Sequence, residues 1–170
     1  MNKPTFLEVR DVLDYDPESG VFLWRGGRGN RARIGTVAGR AAPGRHQQIS
    51  IKGQRYQAHH LAWLLVHGSW PTQLVDHANG NPDDNRICNL RQCTHSLNAA
   101  NSRPRSDSQT GVKGVAKSNT CERFEAYIRV GGQRRYLGLY KTVEEAALVA
   151  ERARAAAFGD FAYERREAVA

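Results

Sequence analysis

Apolar residues recur at helical spacing in two long stretches of the chain. From Ala58 to His67 the apolar positions Leu61, Trp63, Leu64 and Leu65 share a helical period, and Gly68 stops it. From Val143 to Phe158 the chain is alanine-rich. Thr142 stands before this second stretch with Glu145 three residues on, a capping box, and Gly159 follows as the C-terminal cap. Phe6 to Tyr15 reads as a shorter helix, closed by the turn Asp16-Pro17-Glu18-Ser19-Gly20. Strand patterns occupy Val21–Trp24, Ile34–Ala38 and His46–Ile51, and Lys52-Gly53 turns the last of these into Arg55-Tyr56-Gln57. A basic, glycine-containing loop covers Gly26 to Arg33. Beyond residue 110, Gly111–Lys117, Arg123–Val130 and Arg134–Tyr140 predict three short strands. The stripe Ala146, Leu148 or Val149, Ala153, Ala156 or Ala157 on the second helix needs a sheet to cover it. The pattern predicts an α+β chain whose last third is a small three-stranded antiparallel sheet packed on one helix.

The 170 residues suffice for one ordinary domain or two small ones. Asn98 to Thr110 is polar and basic with a single proline, so it reads as a linker. This divides the chain into 1–101, a linker at 102–110, and 111–163. Lys and Arg number 25 against 17 Asp and Glu, for a net charge of +8. Both sides of the linker are basic, which points to a polyanionic partner rather than to one charged tail. Cys88, Cys93 and Cys121 make an odd set with no CxxC pair, so neither a disulfide framework nor a structural zinc is expected. The longest apolar run, Leu61 to Val66, is too short to span a bilayer. Met1-Asn2-Lys3-Pro4-Thr5 does not lead into a signal-type apolar stretch either. The expectation is a reduced, soluble, cytoplasmic protein.

Chemistry concentrates between Leu74 and Asn98. Asp76-His77 ends a short apolar run, Asn79-Gly80 marks a turn, Asn89 lies twelve residues beyond the histidine, and Asn98 nine further on. Carboxylate and amide oxygens suit a hard divalent cation such as magnesium. An adjacent imidazole can take a proton from an attacking water. Spacing alone serves a loop of Asx turns equally well.

Asp76-His77, Asn79-Gly80, Asp84-Asn85-Arg86, Asn89-Leu90-Arg91 and Asn98 with Asn101 resemble the HNH endonuclease family, in its phage and intron-homing branch. Ala58-His59-His60-Leu61-Ala62-Trp63 and Gly68-Ser69-Trp70-Pro71 are similar to that branch too, with His60 standing where Arg is usual. The resemblance implies a ββα-metal fold that hydrolyses phosphodiester bonds of double-stranded DNA. It makes His77 the general base, Asp76 and Asn98 the ligands of a divalent metal (Mg2+ first, Mn2+ second), and Asn89 the brace that orients His77. Asn98 replaces the histidine that ends the motif in other members. His59 and His95 are auxiliary candidates, whereas His46 and His67 carry no signal. A bacterial or phage-infected cell is the expected setting. One base and one metal per site, with no heptad or leucine stripe in the chain, lead us to expect a monomer that nicks.

On the second strand of the last third, Arg123, Glu125, Tyr127 and Arg129 share one face, and Phe124, Ala126, Ile128 and Val130 the other. On the third, Arg134 and Tyr136 point outward, and Leu137 and Leu139 inward. Gly111-Val-Lys-Gly-Val115, Ala126-Tyr-Ile-Arg129, Tyr136-Leu-Gly-Leu-Tyr140, Thr142-Val-Glu-Glu-Ala-Ala147 and Gly159-Asp-Phe-Ala162 resemble the plant APETALA/ethylene-response-factor type DNA-binding domain. Tyr136 stands where plant members commonly carry Trp. The resemblance implies a DNA-facing set of Lys113, Arg123, Tyr127, Arg129, Arg134 and Tyr136, which the linker residues Arg103 and Arg105 extend. The whole reads as a nuclease with a targeting sheet. Its rival is a non-catalytic DNA-binding regulator with a degenerate nuclease domain.

Overall fold

The computed structural model describes residues 3–26, 34–40 and 45–163. From residue 27 on, the basic loop expected at Gly26 to Arg33 lies outside the described residues. The chain divides into two compact units, Met1–Gln92 and Cys93–Ala170.

In the first unit Thr5 and Glu8 form a capping box on α1 (Phe6–Arg10). The helix is shorter than predicted, because Leu13–Tyr15 forms β1 and pairs antiparallel with β2 (Phe22–Trp24). Asp16 closes this hairpin by accepting from the Glu18 amide and the Ser19 hydroxyl. Leu13 and Phe22 are buried, and the Tyr15 and Phe22 rings pack with centroids 4.6 Å apart. The strand predicted at Ile34–Ala38 reduces to a single bridge between Val37 and Leu23. Its apolar Ile34 and Val37 are exposed, so there was little burial to hold a full strand. β3 (Gln48–Ile51) and β4 (Gln54–Gln57) make a tight antiparallel hairpin with Lys52 and Gly53 both at positive φ. α2 (Ala58–His67) ends as predicted at Gly68, in the left-handed conformation. Val9, Leu13, Phe22, Ile49, Leu61 and Leu64 form the centre of this unit's core. Onto it β5 (Leu74–His77) brings Val75, and its pairing partner β6 (Leu90–Cys93) brings Leu90.

The second unit opens with α3 (His95–Asn101), capped by Thr94. β7 (Val115–Lys117), β8 (Phe124–Val130) and β9 (Gln133–Tyr140) form an antiparallel sheet in that order, and α4 (Val143–Phe158) packs across it. The predicted capping box at Thr142 and Glu145 is present. The buried stripe is Ala146, Ala147, Ala150 and Arg154, with Val143 and Val149 beside it, while Leu148 stays exposed. In so alanine-rich a helix the apolar period barely distinguishes one face from the next, so the buried stripe departs from the predicted one beyond Ala146 and Val149. A register shift between Ala126 and Tyr127 also separates two leucines expected to share a face. Leu137 packs on the helix core, whereas Leu139 falls opposite Glu125.

The architecture is α+β, built from small antiparallel hairpins and one three-stranded sheet. Among the described residues, no helix is long and apolar enough to cross a membrane.

Candidate functional site

The segment that joins β5 to β6 folds on its own asparagines. Gly80 donates to the His77 carbonyl at 2.8 Å, and the Ala78 amide donates to the Asn89 carbonyl at 2.8 Å. Asn89 is buried, and its side chain ties the loop together from within. Its Oδ1 accepts from the Asn79 amide at 2.9 Å, and its Nδ2 donates to Asn79 Oδ1 at 3.1 Å and to the Asp84 carbonyl at 2.7 Å. Asp84 in turn accepts from Asn79 Nδ2 and from Arg86 Nε and Nη2. The Arg86 guanidinium holds the Asp84 carboxyl down at about 2. Three backbone or amide groups would lose partners together if Asn89 were shortened.

Asp76 and His77 are consecutive on β5 and both are buried. The Asp76 carboxylate accepts from Arg91 on β6, with Nη2 at 3.1 Å and Nε at 3.3 Å from Oδ2. His77 Nε2 lies 3.3 Å from Oδ1 of Asn85, a residue 1% exposed. Asn85 Nδ2 donates to Gln47 Oε1 at 3.0 Å, and Gln47 Nε2 donates to the Ala38 carbonyl at 2.9 Å. The Tyr15 hydroxyl donates to the Asn85 carbonyl at 2.7 Å. This chain of amides fixes Oδ1 of Asn85 as the acceptor, so His77 carries its proton on Nε2 and keeps its lone pair on Nδ1.

Two more imidazoles crowd His77. The His46 ring stacks on it at 5.3 Å between centroids, the His59 ring meets it edge-on at 5.0 Å, and His46 and His59 are 4.8 Å apart. One ligand atom from each of the three lies within 4.8 Å of the others. His59 and His77 are buried and His46 is exposed, and His59 Nδ1 has no hydrogen-bond partner. Burial pushes His59 down to about 2, helped by the charges that His60, His77 and His46 would carry. Burial also lowers His77, although the Asn85 hydrogen bond works the other way. Both rings are therefore neutral bases at neutral pH.

The linkage that follows has one sign. Below its ordinary value near 6.5 an unfolded histidine takes up a proton that folded His59 refuses, so stability is full above that pH and lost as pH falls towards the folded value. His59 alone should cost about 2 kcal/mol between pH 6.5 and pH 5. Urea unfolding at pH 7 and pH 5 measures this. His59→Gln should flatten the dependence, and an unchanged slope would contradict the assignment.

In the second unit, Asn98 is exposed on α3, as is His95. Arg129 and Arg134 pair across β8 and β9, as do Tyr127 and Tyr136, so cations and rings share one face. The Arg134 guanidinium sits 4.0 Å over the Tyr127 ring and donates to Glu125 at 3.1 Å. Tyr136 is 62% exposed, and Arg123 lies exposed just before β8. Lys113 differs from the rest of the expected DNA-facing set. Its ammonium is turned inward and donates to the carbonyls of Ala99, Ala100 and Ser102, the C-terminal carbonyls of α3. Burial pulls it down to about 8. Arg154, almost wholly buried, donates to the Lys113 carbonyl at 2.6 Å. A cleft of about 880 Å³ has Arg103, Arg105, Lys113, Arg129, Arg154 and His95 among its lining residues.

Spacing in the sequence marks Asp76, His77 and Asn89, but not His46, Asn85, Gln47 or Tyr15. Asn85 belongs to the Asp84-Asn85-Arg86 stretch of the resemblance, which implies no role for it. The other three carried no positional signal at all. Cys93 is buried, and Cys88 and Cys121 are exposed.

Residues 56–100 match the family model of the HNH endonucleases. The matched stretch includes Asp76, His77, Asn85, Asn89 and Asn98, and it stops short of the three-stranded sheet. No curated protein and no solved structure matches the chain.

Proposed function

We propose that this protein is a metal-dependent DNA endonuclease that hydrolyses phosphodiester bonds and nicks one strand per encounter. The observation that carries this reading is the His77 imidazole, held in one tautomer by Asn85 and set beside the buried Asp76, inside a segment that matches the HNH endonuclease model. With Nε2 committed to Asn85, Nδ1 of His77 is the atom that takes a proton from the attacking water. Asn89 keeps the intervening loop folded so that this imidazole stays in place. Arg91 holds the Asp76 carboxylate through Oδ2.

The oxygen donors of Asp76 and Asn98 fit a hard divalent cation, magnesium first and manganese second. When bound, that cation would neutralise charge on the phosphate and on the leaving oxygen. Asp76→Ala or Asn98→Ala should accordingly raise the magnesium requirement or remove activity.

Under the same proposal the second unit is an APETALA/ethylene-response-factor type targeting module. Arg123, Arg129, Arg134, Tyr127 and Tyr136 face DNA, and Arg103 and Arg105 contact its backbone. Lys113 serves by building the module rather than by touching phosphate. With about five to eight phosphate contacts, log affinity against log salt should slope about −5 to −7. Arg129→Ala with Arg134→Ala should make that slope shallower by about 2. A slope that does not change, measured by fluorescence anisotropy across a salt series, would remove this face from the interface.

A further inference from the structure

We propose that His46, His59 and His77 together bind one borderline transition-metal cation of the zinc class. This would be a second metal site, distinct in donor chemistry from the oxygen pair Asp76 and Asn98. Imidazole nitrogen suits zinc, copper or nickel and is a poor ligand for magnesium. The three rings offer nitrogen atoms within 4.8 Å of one another. His59 is 5% exposed, and its Nδ1 lacks any hydrogen-bond partner, an arrangement that ordinarily destabilises a fold. A cation bound through Nδ1 of His59 would give that buried nitrogen its partner. Zinc–nitrogen bonds of about 2.0–2.1 Å in a tetrahedral site put ligand atoms about 3.4 Å apart, so binding draws the rings together by on the order of 1 Å. His46 is exposed and precedes β3, so it is the ring free to make that movement and to admit the ion. Three protein ligands leave a fourth position for water.

The consequence for activity rests on the nuclease reading above. A neutral imidazole has one lone pair, so a cation held by His77 takes the pair with which His77 would accept a proton. Zinc should therefore inhibit cleavage even in excess magnesium.

The test uses the full-length, metal-stripped protein. Zinc chloride is titrated by calorimetry in excess magnesium, and cobalt(II) chloride is followed in parallel by its visible absorption. One equivalent of zinc should bind, and it should displace a tetrahedral-type cobalt spectrum. His46→Ala should weaken zinc by at least about tenfold, since losing a ligand costs no less than the 10- to 100-fold typical of losing a ligand's supporting partner. His46→Cys should restore binding, and His67→Ala, which alters an exposed ring outside the cluster, should leave it unchanged. Wild-type affinity in His46→Ala, or weakened affinity in His67→Ala, would overturn the site. Plasmid cleavage is then measured with zinc, relative to each protein's own magnesium-only rate. Inhibition that weakens in His46→Ala supports the link to His77, and inhibition undiminished there overturns it. If the wild-type protein does not cut in magnesium alone, the nuclease reading fails, while the titration still decides the metal site.

Discussion

Replacing His77 with alanine should slow cleavage by about 100- to 10,000-fold, the usual cost of removing a general base, while DNA affinity stays close to that of the unaltered protein. The two halves of this expectation have separate origins. The imidazole is 4% exposed and hydrogen-bonded to Asn85, so it contributes a lone pair rather than surface charge to the encounter with DNA. On the proposed reading the phosphate contacts would come from cations elsewhere and persist. Single-turnover rates and anisotropy on the same DNA separate the effects. A rate above about a tenth of the original would contradict His77 as the base. An affinity loss matching the rate loss would mean that the ring contacts DNA instead. Asn85→Leu tests the supporting role: it should lower the rate and alter the pH–rate profile, because both tautomers then become accessible.

Gly20→Ala should destabilise the protein by about 2–4 kcal/mol, combining the strain of a left-handed alanine with overpacking. Gly20 has φ +73, and a Cβ there would lie 2.6 Å from the Arg86 nitrogen and 2.7 Å from the Asn85 carbonyl carbon. Both are backbone atoms, so no rotamer change relieves the clash. The same hairpin already touches this loop, with Tyr15 donating to the Asn85 carbonyl and the Ile87 amide donating to the Pro17 carbonyl. Pushing the loop away from Gly20 would move Asn85 and release His77. Activity should therefore fall further than stability alone requires. Gly53→Ala is the control: φ is +81, but nothing lies within 4 Å of its Cβ, so only backbone strain is added. Equal urea midpoints for the two variants would refute the close packing of Gly20 on the loop.

The contrast between those glycines shows what can be read from the chain alone. Both occur in turn-forming sequences, and nothing in the letters says that one of them abuts a loop more than sixty residues away. Local signals were readable wherever local physics decides the outcome. The caps fix α4 at Val143–Phe158, and Gly68 ends α2. Where burial decides, the sequence misled. Leu13–Tyr15 left the predicted helix to pair with Phe22–Trp24, and Arg154 entered a stripe where alanines had seemed sufficient. The candidate site divides along the same line. Asp76, His77 and Asn89 are conspicuous because one short loop carries them. His46, Gln47 and Tyr15 reach that loop only through tertiary packing, and His46 looks like any exposed loop histidine until its ring is found stacked on His77. Lys113 has the composition of a phosphate contact, yet the carbonyls at the end of α3 claim its ammonium.

The most direct measurement is a time course on supercoiled plasmid with the full-length protein in magnesium, and again with the metal chelated by EDTA. Open circles should accumulate before linear DNA, and EDTA should abolish both. Intact plasmid at protein concentrations that bind it fully would contradict the account and favour a DNA-binding protein without catalysis, whereas cleavage that proceeds undiminished in EDTA would contradict the metal dependence.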